Sequence, residues 1–146
     1  MIINAEGHTL GRLLAFAAKQ ALLGETVIIV NVEKMLVSGD RDEIFNRYLD
    51  RLKWKNKMNY RKGPFHQKRP DKFVRKAIRG MLPYKKTRGR EAYKRIMTYI
   101  GIPEYEIKET HNIDVKKQEI QNLDNIKKGV TGDTVEEICK FIGGNW

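Results

Sequence analysis

Four features of this 146-residue chain have the residue types for chemistry: a glycine-bracketed turn, three imidazoles, one thiol, and a run of cations interleaved with aromatics. Gly7-His8-Thr9-Leu10-Gly11-Arg12 follows a short apolar run and precedes a helical pattern, the strand-glycine-helix order in which nucleotide phosphates are held. Its spacing fails both phosphate fingerprints. Gly11 lies four residues after Gly7 and is followed by Arg12 instead of Lys-Ser/Thr, and no third glycine completes G-x-G-x-x-G. The two glycines read instead as a tight turn and a close helix-on-sheet approach, with Arg12 still able to touch a phosphate. His8, His66 and His111 stand far apart, and none has a Ser, Cys or carboxylate at a spacing that builds a triad or a Cys/His cluster that builds a zinc site. Cys139 is alone, so no intramolecular disulfide can form, and it reads as a small packing residue. No catalytic residue, metal or cofactor is expected.

The cations are the outstanding feature. Residues 51–95 hold eighteen Lys/Arg but only Asp71 and Glu91 as acids, whereas the flanking segments are slightly acidic, so the formal charge of +11 is more than accounted for by 45 residues. Like charges this dense repel unless a polyanion neutralises them, and nucleic acid is the economical partner. The segment 53–70 has no usable periodicity and reads as a basic arm or loop. In it Lys53, Lys55, Lys57, Arg61, Lys62, Lys68 and Arg69 would meet phosphates, and Trp54, Tyr60 and Phe65 would stack on splayed bases. Trp54 has a second reading, in which it extends the preceding helix's apolar stripe into the core, and core packing is open for Tyr60 as well. His66 is equally suited to stacking, to a phosphate contact or to an ordinary surface position. No helix-turn-helix, zinc finger or basic zipper pattern points to sequence-specific DNA binding.

The elements that must carry these residues follow from periodicity. Ile2-Ile3 suggests a strand, and Leu13, Leu14, Ala17, Ala18, Ala21 and Leu22 share one face of a helix that Thr9 would cap and Gly24 would stop. Val27 to Val30 is apolar throughout, as in a strand buried on both faces. Strand, helix and strand in thirty residues predict a βαβ unit. Met35-Leu36-Val37 reads as another strand or the end of a bent one. Asp40 and Glu43 resemble a capping box for a helix over about 41–53. Asp71 would cap a helix with Phe73, Val74, Ala77, Ile78 and Met81 inward and Lys72, Arg75, Lys76 and Arg79 outward, ending near Pro83. After the basic turn YKKTRGR, a short helix over about 88–95 carries Lys94 and Arg95, and Ile96 to Tyr99 reads as a strand. Beyond Pro103 the pattern is loose until Asp133-Thr134-Val135-Glu136, a capping-box signature for a terminal helix.

The expected fold is therefore α/β: a small, mostly parallel sheet of about four strands flanked by helices, with a basic arm and a C-terminal helix, in one domain spanning 1–146. No apolar run approaches the roughly 18 residues that cross a bilayer. The N-terminus has no secretory pattern, so a cytoplasmic chain is expected.

Four stretches taken in order, NAEGHTLGRLLAFAAKQALLGE, VIIVNVEKMLVSGD, RKAIRGMLPYKKTRGREAYKRI and YIGIPEY, resemble the L-thirteen family of large-subunit ribosomal proteins in its archaeal and eukaryotic form. Many relatives carry Asp where Asn4 stands. The resemblance covers roughly residues 2–105 and implies a compact α/β domain with a variable extension over 106–146. It implies binding to large-subunit rRNA, a part in subunit assembly, contacts with neighbouring ribosomal proteins, and no enzymatic activity or dedicated homo-oligomer. By motif it places RNA contacts on Arg75, Lys76 and Arg79 and on Lys85, Lys86, Arg88 and Arg90. Two other readings compete: an RNA-modifying or nucleotide-dependent enzyme built on the βαβ start, and a free-standing regulator of messenger RNA.

Overall fold

The computed structural model describes residues 1–112 and 132–146, and of Tyr60 the backbone only. Strand β1 (Ile2–Asn4) turns at Gly7, whose φ of +71° suits glycine, into helix α1 (Leu10–Leu23). Thr9 occupies the N-cap position but its side chain makes no capping bond. At the other end Gly24 is left-handed, and the N–H groups of Gly24 and Glu25 donate to the Ala21 and Gln20 carbonyls, a Schellman arrangement. Strand β2 (Val27–Val30) is fully buried, at about 1.5–3 kcal/mol per large apolar side chain, which is why it takes the centre of the sheet.

Helix α2 covers Arg41–Lys53, helix α3 Pro70–Met81, helix α4 Thr87–Arg95, and strand β4 Ile96–Thr98. The main sheet has the order β1-β2-β4, parallel throughout, with Ile2 opposite Ile28 and Ile28 opposite Met97. The remaining strands lie apart from it: β3 (Leu36–Ser38) pairs antiparallel with β5 (Gly132–Thr134). Thus the run at 35–37 leads into a strand, but that strand belongs to a separate ribbon, which meets the N-terminus of α1 at a Thr9–Leu36 bridge.

Both faces of the main sheet are covered. Ile3, Val27, Ile29 and Ile96 face α1 and α3 in the main core, while Ile2, Ile28 and Val30 face Ile107 of helix α5 (Glu104–His111). Helix α6 (Val135–Phe141) buries Val135 and Cys139 in the main core and Ile138 against Ile44 and Phe45 of α2. The last residues of the chain are therefore integral to the packing. Residues 113–131 of the expected C-terminal extension lie outside the described residues.

Four local expectations shift. The terminal capping box forms one residue later, between Thr134 and Glu137, because Asp133 belongs to β5 and pairs with Arg41 at 3.2 Å. Helix α3 starts at Pro70, where the fixed φ suits a first turn, so Asp71 lies inside the helix rather than capping it. Asp40 precedes α2 without a side-chain cap. A Cβ added at Gly11 meets nothing within 4 Å, so close helix-on-sheet packing does not explain that glycine. No described helix is long and apolar enough to cross a membrane.

Candidate nucleic-acid interface

Helix α3 presents its cations because its other face is held. Val74 and Ile78 are fully buried beneath it, and the remaining face carries Lys72, Arg75, Lys76 and Arg79. Helix α4 is anchored beside it by Ala92 and by Gly89, which lies so near the Pro83 carbonyl that any Cβ would collide with it. That contact folds the turn YKKTRGR tightly back on the end of α3, and Lys86 N–H donates to Pro83 O at 2.9 Å. The result brings the two motif segments into one surface.

Two tyrosines organise that surface. The Arg75 guanidinium stands 4.9 Å from the Tyr93 ring centroid and Arg79 stands 4.3 Å from that of Tyr84, while the two rings meet edge-on at 5.3 Å. Cation–π contact uses the flat face of a guanidinium and leaves its in-plane N–H groups for phosphate oxygens. The Nε of Arg75 is buried with no hydrogen-bond partner. Between α3, Tyr93 and the returning arm runs a groove of about 460 Å³ whose lining, including Phe65, Gln67 and Lys72, contains no acid.

Lys85, Lys86, Arg88 and Arg90 are exposed around the N-terminus of α4, whose first turn holds no acid. A helix N-terminus carries about half a positive charge, so four cations there are mutually unfavourable in the free protein and favourable beside an anion. Lys94 is exposed on the same helix. Arg95 differs: it donates to the Ala21 carbonyl at the end of α1 at 3.4 Å and reaches Glu91 at 3.9 Å, a structural role in joining two helices.

The arm is folded, not extended. Asn56 Oδ1 accepts from the N–H groups of Met58 and Asn59, Asn59 Oδ1 accepts from that of Arg61, and a 3₁₀ turn occupies Tyr60–Lys62. Two contacts pin its return: His66 Nε2 lies 3.3 Å from Trp54 O, and Lys76 Nζ donates to Phe65 O at 3.0 Å. Trp54 and Phe65 are 63% and 65% exposed, so Trp54 does not extend the α2 stripe into the core. The proposed contact of the Tyr60 side chain falls outside the described residues. Lys55, Lys57, Arg61, Lys62 and Lys68 are exposed. Lys53 pairs with Asp50 at 2.7 Å, and Arg69 lies 3.2 Å from Asp71 without hydrogen-bond alignment.

The remaining reactive groups are structural. His8 is 1% exposed with Nδ1 2.9 Å from Glu6 O, and His111 Nε2 meets the Tyr99 hydroxyl at 3.1 Å, with burial lowering its pKa. Burial pushes the Cys139 thiol up to about 12. Among the described residues no three His, Cys, Asp or Glu side chains gather into a metal-holding group. Sequence reasoning missed Tyr84 and Tyr93 as partners of the arginines and left Lys72 out of the contact set, although Lys72, Arg75, Lys76 and Arg79 share the helical spacing that would have included it.

The segment containing this cationic surface falls within a stretch, residues 1–105, that matches the family model described as ribosomal protein L13. The chain belongs to that family. Relatives named large ribosomal subunit protein uL13 match along nearly the whole chain. The Methanocaldococcus jannaschii protein is 42% identical over 146 residues, covering 99% of this chain and 98% of its own length. Its Methanococcus maripaludis counterpart is 39% identical over 147 residues, 100% and 99% of the two chains. The Archaeoglobus fulgidus protein is 35% identical over 142 residues, 97% and 86% of the two. These L13 relatives extend past residue 105, in keeping with the core contacts that α6 makes in this chain.

Proposed function

We propose that this L13-family chain is a structural constituent of the large ribosomal subunit that binds and stabilises its rRNA, takes part in subunit assembly, and has no enzymatic role. The observation that carries the reading is the cationic surface on α3, the following turn and the start of α4, with no acid lining its groove or in the first turn of α4, in a chain whose relatives are named as large-subunit proteins. Arg75, Lys76 and Arg79 would hold phosphates in the groove, Lys85, Lys86, Arg88, Arg90 and Lys94 would hold them around α4, and the arm would add Lys55, Lys57, Arg61, Lys62 and Lys68. Trp54 and Phe65, exposed among cations, suit stacking on unpaired bases. Neighbouring large-subunit proteins are further partners, and the chain acts as one copy.

Sedimentation at low and high salt tests this reading. Tagged wild-type protein should travel with large subunits, and a variant with Lys85, Lys86, Arg88 and Arg90 changed to Glu should not. Incorporation of that variant at the wild-type level would sink the proposal, as would finding most of the protein away from ribosomes.

A further inference from the structure

On the other side of Lys76 from the phosphate groove lies a second cavity, of about 310 Å³, between α2, α3 and the returning arm. Its walls are apolar: Tyr48 and Leu52 from α2, Phe73 and Ala77 from α3, and Ile142 beyond α6. The Tyr48 and Phe73 rings stand 5.3 Å apart at 55°, and the Arg51 guanidinium lies 5.3 Å from the Tyr48 ring centroid. The volume falls at the low end of the roughly 300–1,000 Å³ of small-molecule sites, which suits one flat ring system and is too small for a helix.

Three observations identify the occupant. Besides the Tyr48 phenol, the charged and titratable groups lining the cavity are Arg51, His66 and Lys76, with no carboxylate, so the rim suits a polyanion and disfavours an acidic peptide. Gln67 and Lys76 line both this cavity and the phosphate groove, placing an anion site and an apolar slot side by side, as the phosphate and base of a single nucleotide require. The Gln67 amide also offers a donor and an acceptor, which can pair with the edge of a base.

We propose that this cavity seats one unstacked nucleobase of the bound RNA, with a phosphate of the same nucleotide in the adjoining groove. The inference rests on the rRNA-binding reading above. Arg51 stacks on or beside the base, Gln67 reads its edge, and Lys76 lies between base and phosphate. The slot thereby adds one enclosed, edge-read base contact to the phosphate contacts of this surface and to the exposed stacking rings of Trp54 and Phe65.

Gly80 supplies the test. It lines the cavity, its backbone is helical, and a Cβ there meets nothing within 4 Å, so Gly80→Leu fills the slot without removing a cation or straining α3. Binding to purified, deproteinised large-subunit rRNA should weaken about five- to hundredfold, the worth of one stacked base, with the salt dependence unchanged. Ala77→Met fills the same space from one turn earlier and should act alike, while Gly80→Ala should bind as wild type. Ultraviolet crosslinking of assembled subunits should attach a nucleotide to the peptides carrying Tyr48 or Phe73. Equal, steeply salt-dependent binding by wild type and both filled variants would overturn the slot alone, and so would crosslinks from those peptides to another protein. Failure of the wild-type protein to bind the rRNA would overturn the parent reading and the slot together.

Discussion

Changing Lys85, Lys86, Arg88 and Arg90 to Gln tests the electrostatic core of the proposed interface quantitatively. All four side chains are exposed, and none makes an ion pair among the described residues, so their neutralisation removes charge without removing a contact that holds the fold. If six to ten cations meet phosphates, wild-type affinity should fall about 10³–10⁵-fold between 50 and 200 mM salt. Each phosphate contact contributes about 0.7–0.9 to the slope of log affinity against log salt, so losing four lowers that slope by roughly 3. Over a fourfold change in salt, this amounts to a factor of about 60, leaving the variant a salt effect of only about 10–10³-fold. Anisotropy titrations of the purified rRNA at several salt concentrations measure the slope directly. Lys140→Gln on α6, outside the cationic segment, is the control and should leave it unchanged. A quadruple variant with the wild-type slope, or a control that lowers the slope as much per charge, would refute placement of the phosphates around α4.

The same surface should be a liability in the free protein. Arg88→Glu puts an acid in the first turn of α4 and should stabilise the isolated chain by about 0.3–1 kcal/mol in urea titrations while weakening rRNA binding, because the helix dipole favours the acid. Gly89→Ala should destabilise by about 1–3 kcal/mol and lower the Tm, since its methyl runs into the Pro83 carbonyl that folds the basic turn. Burial lowers the pKa of His111, so the unfolded chain binds the proton more readily. The contribution is present above pH about 6.5 and lost as pH falls through the lowered folded value, and a Tm–pH profile of His111→Gln should decline less on the acid side. With its thiol pushed up to about 12, Cys139 should resist iodoacetamide at pH 8 in native protein and react once the chain unfolds.

Where the sequence was legible, one local period decided the structure. Val27 to Val30 had to be a central strand because nothing polar interrupts it, and α3 had to present Arg75, Lys76 and Arg79 because Val74 and Ile78 claim the core side. Elements fixed by distant partners were harder to read. Helix α5 buries only Ile107, too little to leave an amphipathic stripe, and β5 is three residues whose strand character comes from β3, nearly a hundred positions earlier. The arm looked structureless because its order comes from asparagine turns and two pins to remote carbonyls, none of which has a period. Tyr84 and Tyr93 look like ordinary residues of the turn and helix until Gly89 permits the close approach that sets their rings edge to face.

Charge and fold are divided along the chain, and the division explains how such a surface can exist before RNA arrives. Outside residues 51–95 the chain carries eleven basic against sixteen acidic side chains, and these segments supply most of the sheet, α1, α5 and α6. The cationic segment is tied to that body by a few buried apolar anchors, Val74 and Ile78 on α3, Leu82 just past its end and Ala92 on α4. Its cations then divide by how they are held. Arg75 and Arg79 are laid against tyrosine rings, which fixes their position before binding and reduces the ordering cost when a phosphate arrives. Lys85, Lys86, Arg88 and Arg90 are not so held and can adapt to the RNA backbone. A surface with pre-positioned guanidiniums at its centre and exposed cations at its edge, unpaired among the described residues, can fix register at the first while gaining most of its affinity from the second.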